Sequence, residues 1–259
     1  MILRLAALLL LLVAPLGLSA QENLTRVGKP EIMRFLAQLP DYAPIEQDLR
    51  RIGFRDENLA LAVAHAESFY TDPVIAGHIA DRLIGFYAGE PQPEMAKGLI
   101  WPLIERGLGH LPTNDLLVYY NVERAMIGAM PVHLCGRAVR NRLSPERFSD
   151  EITKVAARLH TPALREYYRV EVKAARLGAR RPQVQLSRQQ RARVETRVRA
   201  GLAELVDAHE QSGALRAAMR DIDSAPDARA CEVGLLFYEA VMRLKGAERR
   251  AALVYMGLP

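Results

Sequence analysis

The chain is short of cysteine, of lysine and of strand-forming pattern, and each shortage narrows what it can be. Cys135 and Cys231 are the only cysteines in 259 residues. They leave room for one disulfide or for two separate buried thiols, and a bridge would remove both from nucleophilic chemistry. A bridge between them would close a loop of nearly a hundred residues, worth up to ~4–5 kcal/mol in the chain-entropy picture. Lysine occurs only at positions 29, 97, 154, 173 and 245, against 35 lysines and arginines in all. That bias fits a GC-rich bacterial genome. No Gly-x-Ser-x-Gly and no Gly-rich phosphate loop occurs, which leaves serine nucleophiles and nucleotide cradles without support. No His-Glu-x-x-His occurs either. Past the N-terminus no apolar run is long enough to cross a bilayer, so no transmembrane segment is expected after leader removal.

The N-terminus itself is apolar. Arg4 precedes a run from Leu5 to Ala14, Pro15 breaks it, and Leu18-Ser19-Ala20 offers a cleavage site before Gln21. This order of features predicts a secretory signal peptide over residues 1–20. The rival reading, an uncleaved anchor, is disfavoured because the run falls well short of the ~20 residues a spanning helix needs. No cysteine follows the run, which argues against a lipid-anchored lipoprotein. Export in turn favours oxidation of the two cysteines to a Cys135–Cys231 disulfide. The expected location is the bacterial periplasm, or otherwise the secreted space. Asn23-Leu24-Thr25 is a glycosylation sequon, with meaning only in a eukaryotic secretory pathway. Loss of Arg4 takes the net charge from +5 to +4, mildly basic and no signature of nucleic-acid binding.

Residues 21–259 read as one all-α domain. Helix signals follow one another at proline-marked corners, giving about a dozen mostly short helices. Thr71-Asp72-Pro73 stops one helix and starts the next. Pro91 and Pro93 open a segment that Pro102 should kink or split. Ser144-Pro145, Thr161-Pro162 and Ser187 each start a helix, and short connections make successive helices antiparallel neighbours. Residues 228–244 are apolar on two faces: Cys231, Leu235, Tyr238 and Met242 on one, Val233, Phe237, Val241 and Leu244 on the other. A helix of that kind needs neighbours on both sides, so it is the expected buried C-terminal helix.

Two helices echo each other around 112–131 and 162–182. LLVYYNVE, from Leu116 to Glu123, and LREYYRVE, from Leu164 to Glu171, share Leu-x-x-Tyr-Tyr-x-Val-Glu, a pattern that is consistent with duplication and equally with chance. On each helix the glutamate falls in the middle of the apolar stripe. A buried carboxylate must find a partner or take up a proton. Arg82 has the mirror problem, set between Ile75, Ile79 and Phe86. The expected solution is a buried ion pair among Arg82, Glu123 and Glu171, with tyrosine hydroxyls satisfying the remaining glutamate. The sharper alternative makes Glu123 and Glu171 the catalytic pair of a cell-wall glycoside hydrolase.

His65, Glu67, Asp72, His78 and Asp81 crowd one helix-turn-helix but lack metal-ligand spacing, so they read as surface polar residues. No metal and no cofactor is expected. The remaining feature is a basic run. Lys173, Arg176, Arg180, Arg181, Arg188, Arg191, Arg193, Arg197 and Arg199 are opposed by a single acid, Glu195, and Val194, Val198, Leu202 and Leu205 form the inward stripe beneath them. The bland account is a solvated face in an arginine-rich proteome. The functional account is a contact surface, with Arg180, Arg181, Arg188, Arg191 and Arg197 as its residues. The sequence is thus read as an exported protein that acts by binding an envelope protein or an anionic surface rather than by catalysis. A periplasmic immunity or inhibitor protein is a further alternative. Nucleic acid is not an expected partner, and nothing in the sequence fixes the oligomeric state.

Overall fold

A computed structural model describes residues 28–42, 44–91 and 98–258. The signal peptide expected over 1–20, the sequon at 23–25 and Pro93 of the expected helix start lie outside the described residues. Among the described residues there are thirteen helices and no strand. The protein is all-α. Its contacts group the chain into two compact units, one ending at His110 and resuming over Glu171–Gln183, the other built from Leu111–Val170 and from Val184 onward.

The first unit holds α1 (Lys29–Tyr42), α2 (Ile45–Ile52), α3 (Asp56–Thr71), α4 (Pro73–Tyr87) and α5 (Trp101–Leu108). It also takes the second half of α9 (Thr161–Arg180). Helix α1 packs on α3 and α4, and α2 on α3. Leu36, Phe54, Ile75, Ile79 and Leu103 are sealed from solvent at the centre, each contributing roughly 1.5–3 kcal/mol by burial. The corner between α3 and α4 forms as its residues dictate. Asp72 accepts hydrogen bonds from the backbone N–H of Val74 and Ile75, and Pro73 fills the first helical position. Pro102 does not kink a longer helix; it sits in the first turn of α5, where a missing N–H costs nothing. Helices α5 and α9 meet backbone to backbone. A Cβ at Gly107 would fall 1.7 Å from the Ala174 carbonyl oxygen, and one at Gly178 would fall 1.9 Å from that of Leu103.

The second unit holds α6 (Thr113–Gly128), α7 (Val132–Val139), α8 (Pro145–Ala156), the first half of α9, α10 (Arg188–Asp207), α11 (Ser212–Arg220), α12 (Asp227–Arg243) and α13 (Gly246–Met256). Ser144 caps α8, and Ser187 with Gln190 forms a complete capping box at the start of α10. Helix α12 is in contact with α6, α7, α10, α11 and α13. Ala230, Cys231, Val233, Ala240 and Val241 are buried along it, while Leu235 through Glu239 are half-buried. Its tightest neighbour is α7. Cys135 and Cys231 are joined as a disulfide with their Cα atoms 5.2 Å apart. One residue on, a Cβ at Gly136 would meet the Asp227 carbonyl oxygen at 2.2 Å. Arg140, its side chain only 8% exposed, hydrogen-bonds the Asp227 carboxylate and the Ala225 carbonyl.

The cross-link spans a sequence separation of 96, so its loss should be felt strongly. Replacing both cysteines by alanine is expected to lower unfolding free energy by about 2–5 kcal/mol. Urea titrations of the oxidised protein, the reduced protein and the variant would show this, with the last two coinciding. Equal midpoints for oxidised and reduced protein would refute it.

Candidate functional site

The two glutamates of the repeated motif find different answers. Glu171 belongs to the first unit and is buried. Its Oε2 lies 3.0 Å from His65 Nε2 on α3, and the His65 ring meets the Phe69 ring edge-on at 4.7 Å. A little further along α9, Arg176 Nε donates to Asp72 Oδ2 at 2.5 Å. These contacts fix α9 to the α3–α4 corner. Burial alone would raise the Asp72 pKa. The backbone N–H of Ile75 and Val74 and the Arg176 guanidinium outweigh it and hold the carboxyl below its ordinary value.

Glu123 belongs to the second unit and is half-buried. It accepts a long hydrogen bond, 3.4 Å, from the Tyr238 hydroxyl on α12. The Tyr120 hydroxyl is buried and has no hydrogen-bond partner among the described residues. Burial, and then the Glu123 charge, push the pKa of both tyrosines up, so both remain protonated at neutral pH. A tyrosine hydroxyl thus serves Glu123. The two copies of the motif also touch: Tyr119 and Tyr167, equivalent positions, stack at 5.2 Å with planes 15° apart. Beside them Arg169 joins Asp115, buried at the start of α6, at 2.8 Å.

Arg82 lines a small cavity of about 10 Å³ with His78 and Arg106, room for about one water. Arg106 donates to His78 Nε2 at 3.1 Å, so that nitrogen is the acceptor. Of the polar residues read as superficial, Asp72 is buried and His65 and His78 are half-buried, while Asp81 is exposed. His65 faces Glu171, Asp72 caps α4 and holds Arg176, and Asp81 takes Lys29 at 2.6 Å. Among the described residues no group of three His, Cys, Asp or Glu is placed to hold a metal ion.

The arginine run is the remaining candidate. Val194, Val198, Leu202 and Leu205 are buried along α10 as the inward stripe. Around them the arginines divide into two kinds. Arg197 pairs with Glu248 on α13 at 3.2 Å, and Arg191, half-buried, reaches Gln185 at 3.5 Å. The side chains of Arg188, Arg193 and Arg199 are exposed and make no hydrogen bond or ion pair among the described residues. The same holds for Arg180 and Arg181 at the end of α9. The sequence reading included Arg191 and Arg197 among its chosen contact residues and kept Arg193 and Arg199 only as members of the wider run. Helical projection could have found the last two, since both point away from the buried stripe. It could not have shown that a distant glutamate occupies Arg197.

No protein-family model matches the chain, and no curated protein or solved structure is significantly similar to it. What the site can do must come from its own chemistry. It offers several unengaged guanidinium groups on a capped helix, suited to carboxylate or phosphate oxygens.

The Asp72 arrangement carries a pH signature. A carboxyl whose folded pKa lies below its unfolded value adds stability above the unfolded pKa of about 3.9. That stability is lost as pH falls through the folded value. Asp72→Asn is therefore expected to cost about 1–2 kcal/mol near pH 7 and less as the solution becomes acidic. Urea midpoints of wild type and variant would converge on acidification; parallel curves down to about pH 2 would contradict the assignment.

Proposed function

We propose that the protein is an exported binding protein of the bacterial envelope, with its contact region in the arginine-rich stretch from Lys173 to Arg199. The observation that carries this reading is that the side chains of Arg188, Arg193 and Arg199 are unengaged on a capped helix. Charge position supports it. The first turn of α10 contains no acidic residue, and Arg188 occupies its first position. A helix N-terminus carries partial positive charge, so cations there oppose folding. Charges kept where they cost stability are charges available to a ligand. The partner is an acidic envelope protein or an anionic surface, and recognition needs no cofactor.

Export is part of the proposal. The leader-like order of residues 1–20 supports it, and the Cys135–Cys231 disulfide is consistent with an oxidising compartment. Expression in a bacterial host should yield a mature chain whose N-terminus is Gln21, read by intact mass after periplasmic release. A chain that keeps Met1 and stays with the cytosolic fraction would end the export proposal.

The binding proposal predicts opposite effects of one substitution on stability and on association. Arg188→Glu places a carboxylate at the helix start and should raise unfolding free energy by up to about 1 kcal/mol. The same change should weaken co-sedimentation of the purified protein with envelope fragments, and added salt should weaken the wild type too. Association that is indifferent to both salt and charge reversal would overturn the reading.

A further inference from the structure

The binding reading leaves the chemistry of the partner open, and the outer face of α10 narrows it. At about 100° per residue, Arg188 and Arg199 lie within about 20° of each other around the helix, and Arg193 lies about 140° away on the other flank. Between the flanks run Gln189, Ala192, Thr196 and Ala200, all exposed. The Thr196 hydroxyl is already spent on the Ala192 carbonyl, at 2.8 Å. Beyond Gln189 in the first turn, the face is thus a low floor between arginine-bearing edges, extending roughly 12 Å from Ala192 to Ala200 at about 1.5 Å per residue.

What the face lacks decides between partners. Specific protein interfaces are anchored by buried aromatic or large aliphatic side chains, with charges at the rim. Among the described residues the exposed large hydrophobics are Phe35, Ile84, Phe86, Trp101 and Val132. None is on α10, whose own large apolar residues face inward. A cationic face without an anchor suits a partner that supplies many anionic groups at high density and demands no pocket. A low floor lets the helix approach such a layer closely while the arginines reach it from both edges. The guanidinium fork matches phosphate oxygens two at a time.

We propose that the outer face of α10, through Arg188, Arg193 and Arg199, docks on the phosphate headgroups of an anionic lipid surface. The proposal rests on the binding reading above and adds both the partner class and the residue set. Arg197 is outside the set because Glu248 holds it.

The test is sedimentation of the purified, disulfide-intact protein with vesicles of phosphatidylglycerol and phosphatidylcholine, against vesicles of phosphatidylcholine alone. Wild type should bind the anionic vesicles and release with salt. The triple variant R188Q/R193Q/R199Q should lose roughly fivefold per arginine, about a hundredfold in all. R197Q should lose less than about twofold, its charge being already engaged. The charge-conserving triple R188K/R193K/R199K should retain most of the affinity, which separates lost charge from a damaged fold. Equal losses in R197Q and the glutamine triple would overturn the residue assignment. Wild-type binding to envelope fragments but not to anionic vesicles would overturn the lipid proposal and leave the binding reading standing, with an acidic protein as the partner. Failure to bind either would sink both.

Discussion

The crossing of α7 and α12 is the contact on which the second unit depends. Three constraints of different kind meet there. The disulfide joins Cys135 to Cys231, Gly136 lets the Asp227 backbone approach to a distance that a Cβ would forbid, and the nearly buried Arg140 is neutralised by Asp227. Further along, a Cβ at Gly234 would meet the Val139 side chain at 2.3 Å. Once α12 is held in this way, the inner faces of α6, α10, α11 and α13 have a fixed surface to pack on. The covalent bond restricts the unfolded chain, while the glycines and the buried ion pair determine which folded arrangement it closes on.

The first unit solves a similar problem without a covalent bond. Its α5–α9 crossing is again a glycine contact, Gly107 and Gly178 each lying against the partner's backbone. The other attachment of α9 is polar: His65 to Glu171 and Asp72 to Arg176. The Asp72 and Glu171 carboxylates are nearly sealed from solvent, so leaving either without its partner is costly. The α7–α12 crossing of the second unit is therefore sensitive to reductant, and the α9 attachment of the first unit to acid. That difference follows from which residues occupy otherwise comparable helix crossings.

Much of this could be read from the sequence because helix boundaries are written locally. Asp72-Pro73, Ser144-Pro145 and Ser187 with Gln190 each specify a helix start through hydrogen bonds a few residues long. The inward stripe of α10 was equally legible, because a 3.6-residue period reports which face is buried. Partnerships were not legible. Asp72 and Arg176 are separated by 104 positions, and Arg197 and Glu248 by 51. Periodicity says that a charged residue faces inward and is silent about what it meets. Thus His65, which has no metal-ligand spacing, looked superficial until Glu171 was seen against it. Apolar character was also an imperfect guide to depth. Leu235 and Phe237 belong to a helix with neighbours on several sides, yet both are only half-buried.

The same distinction between composition and placement bears on α10. Composition alone says how many arginines the chain carries. It does not account for where their charge is left uncompensated. Elsewhere arginines are drawn into the architecture: Arg140 onto Asp227, Arg169 between Asp115 and Glu166, Arg176 onto Asp72. On the first three turns of α10 the only acid is Glu195, and it accepts a hydrogen bond from the Tyr255 hydroxyl. An acidic residue near the start of that helix would favour the helix dipole and relieve the crowding of like charge. The first turn has no such residue, and Glu195, four positions from both Arg191 and Arg199, is the one relief within this stretch for five arginines. A face selected for stability alone would not be expected to keep this arrangement, whereas a face that meets an anionic layer regains on contact what it forgoes in isolation.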